Sequence, residues 1–390
     1  MAFGMSPFPF GFRSRGGGGG GAAPLAAAQL RTDLAALGFT VTRSGVRQSH
    51  TLDAGLGFES ISANVAAFER VTIGSRQHLG LISFPGSTPL VADSNNLTGW
   101  SVTGAPSVVY TASGGLDGAG YTTITGTGSA WTVSKALTDA SGNRTSRVRY
   151  GSASGTVTLS QDGGSTTTAA TTGSIKDVAL PAQTSSNPTL RVAGGASDSI
   201  IIYDFQHGKP ASGAPAYKWY VPQGVTPAAV GADTIIRTLP APPASIDFEI
   251  LFRTGGGETA TMVALALGNS GSGGTERLII DWIPGSGGQV RIYTKSSGNL
   301  VATRAAGVLV LVRVRWTGTA FTYNFDNGSD NNATIETLAL QDFARIGHRA
   351  TGDHFFAPIV SMRDRVGTVL GAAGTIYNAP ALADYEASLP

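Results

Sequence analysis

The sequence predicts an all-β protein: tandem β-sandwiches, preceded by an extended N-terminal anchor and one short helix. Three observations carry this. Short segments rich in Val, Ile, Thr and Tyr recur from residue 97 onward, most of them alternating apolar with polar residues. Glycine occurs 54 times and, with Ser and Thr, separates those segments at intervals suited to tight turns. Charged residues make up only 13% of the chain while 41% are apolar, a balance that can bury a core and is unlike that of a disordered chain. At 390 residues the chain is long enough for two or three domains with cores of their own.

Residues 1–38 form the first expected unit. Phe3, Phe8, Phe10 and Phe12 stand among prolines and glycines, in a peptide too short to bury them by itself. Six glycines follow, residues 16–21, a flexible spacer with an r.m.s. reach of about 14 Å. The four aromatics are candidate docking anchors on a swivel, and the alternative is an unstructured tail. The stretch PLAAAQLRTDLAALG then predicts a helix. Pro24 suits its first turn, Leu30, Leu34 and Leu37 fall at i, i+4 and i+7, and Gly38 suits the position after its end. That helix is either an oligomerisation seam or a layer on the protein's own sandwich. No other stretch reads convincingly as a helix.

Residues 39–96 read as an extended leader, with pieces such as Phe39–Arg43 and Arg70–Ile73 between Gly-rich turns, expected to lie along the first sandwich. Residues 97–222 then supply eight or nine strands, from SVTG at 101 to SIIIYDFQ at 199, which fits a jelly-roll sandwich. Residues 223–390 contain a Pro-rich hinge (Pro240, Pro242, Pro243) and continue as a second series: SIDFEILFRT, TMVALALG, RLIIDWIPG, QVRIYTKS, LVLVRVRWTG, AFTYNFDNG and FAPIVSMRDR.

Order and spacing in the leader carry a family resemblance. Phe39, Thr40 and Arg43 are followed by Asp53 and Gly55, by Asn64 and Phe68, by Gly80-Leu81-Ile82 and Pro85, and by Ser94 and Trp100. This series resembles the leader of head-spike and tail-fibre structural proteins of tailed bacteriophages or gene-transfer particles. Gln206 and Gly208, with Tyr220-Val221-Pro222, resemble the close of the first sandwich in that family, and Gly231-Ala232-Asp233 resembles its next step. Ser83-Phe84 and Pro89-Leu90 depart from the pattern. Val312–Gly318, Thr319–Asn324 and Ile346-Gly347 resemble the strand order of concanavalin-like and laminin-G-like sandwiches, so the second module is expected to be lectin-like. The resemblance implies a virion surface protein made in the bacterial cytoplasm, with residues 1–38 docked to capsid or tail proteins. It also implies a homo-oligomer, a trimer by the habit of such fibres, that adheres to host surface glycans. Two other readings remain: architectural decoration without a receptor, and a polysaccharide depolymerase.

Sugar-binding sandwiches present exposed aromatics for stacking, flanked by groups that reach hydroxyls. In the first module the candidates are Trp131 and Tyr150 with Asp117; Trp100, Tyr121 and Arg149 belong to the same neighbourhood in sequence, Trp100 reading as a packing residue. In the second module Trp282 and Trp316 read as core, and the loop with Asp353, His354 and Phe355 as the surface candidate. The segment DNGSDNN (326–332) offers oxygen ligands of the kind Ca²⁺ takes, but it lacks an EF-hand's spacing and reads as a hairpin turn. No metal or other cofactor is therefore expected.

Other functions find little in the residues. Net charge is +2 without a Lys/Arg stripe, which leaves nucleic-acid binding unsupported. Cysteine is absent, so disulfides and thiolate metal sites are excluded. Residues 1–15 have no apolar signal core, and no run is long enough to span a bilayer as a helix. Five scattered histidines show no HExxH spacing, no GxSxG elbow occurs, and no local motif pairs two carboxylates, so an enzyme is not expected.

Overall fold

The computed structural model describes residues 22–52, 57–84, 86–138, 145–161, 167–169, 175–180, 187–210, 230–255, 261–269, 275–284, 287–294, 298–334, 341–348 and 357–389. Phe3, Phe8, Phe10 and Phe12 lie outside them, as do Asp353, His354 and Phe355. The described chain is built of two β-sandwiches, but their arrangement differs from a simple tandem. One sandwich is inserted into the other.

The inserted sandwich has two antiparallel sheets among the described residues. One runs in the order Lys176–Ala179, Thr145–Ser154, Ser199–Pro210, Tyr121–Thr125, Ser107–Thr111, with Ser87–Pro89 pairing the far end of Ser199–Pro210. The other runs Thr167–Thr168, Thr158–Gln161, Thr189–Gly194, Trp131–Ala136, Ser101–Thr103. The chain crosses between the sheets at most of its connections, the jelly-roll habit. Period-2 alternation sends Ile124, Val133, Val148, Tyr150, Leu159, Val192, Ile200 and Ile202 into one shared core. Asp198 closes the turn after Gly194 by accepting from Gly195 N at 2.7 Å and Thr156 N at 3.1 Å.

The outer sandwich is discontinuous in sequence. Its first sheet runs Thr40–Thr42, Thr234–Thr238, Phe343–Ile346, Met262–Asn269, Thr275–Ile283, Gln289–Thr294, Gly298–Thr303. Its second runs Asn331–Ala333, Phe321–Phe325, Leu309–Trp316, Ile246–Arg253, Ile359–Asp364, Arg76–Ile82, Ala67–Ile73, with Thr375–Tyr377 on Ile359–Asp364. The expectation that residues 39–96 pack on the first sandwich is corrected here. Ala67–Ile73 and Arg76–Ile82 are strands of the outer sandwich, and Phe68, Leu79, Leu81 and Ile82 share its core with Phe248, Ile250 and Val312. The burial pattern of Arg76–Ile82, inaccessible at five successive positions, is that of a strand covered on both faces. Of the leader, Ser87–Pro89 and Val91 join the inserted sandwich, and the hairpin Arg47–His50 with Phe58–Ile61 leans on it, where the Arg149 guanidinium lies 5.1 Å from the Phe58 ring centre.

The helix α1 (Ala27–Ala36) lies within the predicted span, and Gly38 adopts φ +78° just after it. Leu30 and Leu34 are buried in the outer core, so within the described chain α1 packs on its own sandwich. A second helix, α2 (Ala379–Ser388), was not anticipated. Its pattern APALADYEAS is short and carries Pro at its start, so it reads as a tail. Ala381, Leu382 and Tyr385 cap an apolar patch of Val71, Leu251, Leu311 and Val360 on the outside of the second sheet. Asp326 and Asn327 both have positive φ, as a tight hairpin turn requires. Asp326 accepts there from Leu311 N, the Tyr385 hydroxyl and the Arg304 guanidinium.

Both crossings of the chain between the sandwiches meet at one carboxylate. Phe84 N donates to Asp233 Oδ2 at 2.9 Å, and Asp233 N returns a bond to Phe84 O at 2.8 Å. Arg43 and Arg47 each place Nη1 at 3.0 Å from Asp233, one on each oxygen, with all three side chains no more than 2% exposed. Arg47 also stacks on the Phe84 ring at 4.8 Å. Asn64, at φ +61°, holds Arg43 by accepting from its N–H and donating its own to the Arg43 carbonyl. The outgoing and returning strands are thus stapled by one buried anion and two cations.

Candidate ligand-binding face

The outer side of the sheet that contains Ser199–Pro210 is a continuous, partly exposed surface of the inserted sandwich. Because Val108, Ile124, Ile200, Ile202 and Ala153 point inward, the alternate residues of four neighbouring strands share the opposite face. Strand register arranges them in rows. Ser107, Thr125, Ser199 and Ser154 form one row through the pairs 107–125, 125–199 and 154–199. Val109, Thr123 and Ile201 form the next. Thr111 and Tyr121 continue into Tyr203, whose ring centre is 5.8 Å from that of Tyr121 at an interplanar angle of 57°.

The chemistry of the rows is graded. At one end Ser154 Oγ and Ser199 Oγ are 2.9 Å apart, and the residues around them are exposed or half-buried. The middle is apolar, with Val109 54% exposed. The other end is the tyrosine pair. Gly151 makes the pair possible, since a Cβ there would stand 2.9 Å from Tyr203 Cε2. Without that carbon the Tyr203 ring lies against the strand backbone. Burial, then the neighbouring Tyr121, pushes the Tyr203 phenol above its usual pKa, so at neutral pH it is a hydroxyl donor. The four strands span about 15 Å at the usual sheet spacing.

Beyond the tyrosines the same face is closed. Arg149 and Asp204 pair at 2.6 Å and are buried beneath the hairpin that carries Phe58, while Arg147 pairs with Asp177 at 2.7 Å. His50, packed edge-on to Phe58 at 4.5 Å, accepts from Arg70 N at 2.9 Å. Burial lowers its pKa to about 3, so it stays neutral through the physiological range.

The sequence candidates fare unevenly against this geometry. Trp131 is 2% exposed and Tyr150 1%, both inside the core of the inserted sandwich, so neither offers a face to a ligand. The physical reason is parity: Trp131 shares its side of the strand with Val133, and Tyr150 shares its side with Val148. Trp100, Trp282 and Trp316 are buried as read. Asp117 sits on the 3₁₀ turn Leu116–Gly118, and its side chain is outside the described part. Tyr121 is the candidate that stays on the surface. Its partner Tyr203 escaped notice because the run SIIIYDFQ is apolar at both parities, which hides the outward side. Among the described residues no group of three or more His, Asp or Glu side chains could hold a metal ion. No described helix is long and apolar enough to cross a membrane.

No protein-family model matches the chain, and no curated protein matches it. Among solved structures it is similar to domains LG4-5 of the mouse laminin alpha1 chain, at 10% identity and a TM-score of 0.21, over 61% of this chain and 86% of that one. A similarity at that score carries no argument about function.

Proposed function

We propose that this chain is an adhesion protein that binds cell-surface glycans through the open face of its inserted sandwich. The observation that carries the reading is the graded face itself: two adjoining tyrosine rings, an exposed apolar strip and a row of hydroxyls on one rigid sheet. Pyranose rings have apolar faces that stack on aromatics, and their hydroxyls exchange bonds with Ser, Thr and Tyr. A flat site of this kind binds weakly, so strength comes from several copies engaging one surface. Display on a phage-like particle is the finer reading. It rests on the resemblance of residues 39–100 and on the aromatic segment before residue 16.

A glycan array probed with the full chain tests this. The chain is expected to retain a defined set of glycans, and the double variant Tyr121→Ala/Tyr203→Ala to bind them on the order of 100-fold more weakly, about one decade per ring. Both side chains are on the surface, so the melting temperature should stay within about 4 °C of the parent. A blank array, or a double variant that binds like the parent, would end the proposal.

A further inference from the structure

We propose that the glycan bound by this face is uncharged, an inference that rests on the adhesion reading above and narrows its ligand class. The three rows consist of Ser, Thr, Val, Ile and Tyr, with no ionisable group other than the phenols.

Every neighbouring charge on the described part of this face is already engaged. Arg149 and Asp204 neutralise each other under the hairpin, and Arg147 and Asp177 do so beside them. Asp198, at the hydroxyl end, is turned into its own loop by the Gly195 and Thr156 N–H groups. Lys176, on the flanking strand, pairs in register with Tyr150 and has the parity of Val178, which packs on the core, so its strand position belongs to the opposite face. His50 is held neutral by burial.

A glycan carboxylate or sulfate laid on such a surface would give up water without meeting a cation, and charged ligands are held by Arg or Lys for that reason. Neutral hydroxyls lose less and find matching partners. The chain does carry dense charge elsewhere. Asp247 and Glu249 on the outer sandwich are surrounded by Arg313, Arg363 and Arg365. The neutrality of the tyrosine face is therefore local.

The test uses the full chain on an array that holds neutral oligosaccharides beside their sialylated, uronic-acid and sulfated counterparts. Binding is read at about 0.05 M and about 0.5 M salt. The neutral glycans are expected to bind best, and their apparent affinity to change by less than about twofold across that range. A tenfold preference for the acidic forms, or a tenfold loss of binding in high salt, would overturn the inference and leave adhesion standing. An array with no binder at all would overturn the adhesion reading, and the ligand class with it.

Discussion

Replacing Asp233 with alanine is expected to destabilise the outer sandwich by about 3–5 kcal/mol, because it strands two buried guanidinium groups. Arg43 and Arg47 are no more than 2% exposed and have their shared carboxylate removed in one step. Phe84 N loses its acceptor as well. Denaturant titration of the full chain should show a clearly lower midpoint. Hydrogen exchange should locate the loss, with Thr40–Thr42 and Thr234–Thr238 deprotected before Trp131–Ala136. An unchanged midpoint would mean that the two cations have other support and that the neck is not clasped as described.

The second large effect is expected at Asp364. Its Oδ1 accepts from Val366 N and Gly367 N, and its Oδ2 from Val369 N at 2.5 Å and Leu370 N at 2.7 Å. One fully buried carboxylate thus satisfies four N–H groups of the loop between Ile359–Asp364 and Thr375–Tyr377. Asp364→Ala should cost at least about 3 kcal/mol, since each unpaired buried donor costs about 1–3. Asp364→Asn should be nearly as damaging, because an amide turns its own N–H₂ toward two of the four donors. Near-parental stability of the asparagine variant by thermal unfolding would contradict the four-donor arrangement.

These two carboxylates show what the sequence made legible and what it hid. Asp233 stood out within Gly231-Ala232-Asp233, as did Phe39, Arg43 and Asn64 within the leader, yet their meeting in space was invisible. Arg43 and Asp233 are 190 positions apart, and no local pattern encodes that closure. The same gap explains the misplaced leader. Arg70–Ile73 read correctly as an extended piece, but the hairpin of Ala67–Ile73 with Arg76–Ile82 joins the outer sheet through Ile359, which pairs with Leu81 from the far end of the chain. A strand of strong alternation such as Trp131–Ala136 was legible because one face meets a core, and Leu309–Trp316 was legible as a Val/Leu-rich run although Leu311 is also covered on its other face. Short edge pieces such as Asn331–Ala333 and Thr375–Tyr377 were not, since three residues define no period. At the candidate site, Tyr121 could be named from its strand, whereas Tyr203 needed the register of a neighbouring strand to appear beside it.

Ligand binding on the tyrosine face, as proposed, is open to a direct test. The most direct measurement is a crystal structure of the full chain soaked with the strongest neutral glycan from the array. A sugar ring is expected to stack on Tyr121 and Tyr203, with its hydroxyls directed toward Thr123, Ser154 and Ser199. A sugar bound on the outer sandwich instead, with the Tyr121–Tyr203 pair bare, would contradict it.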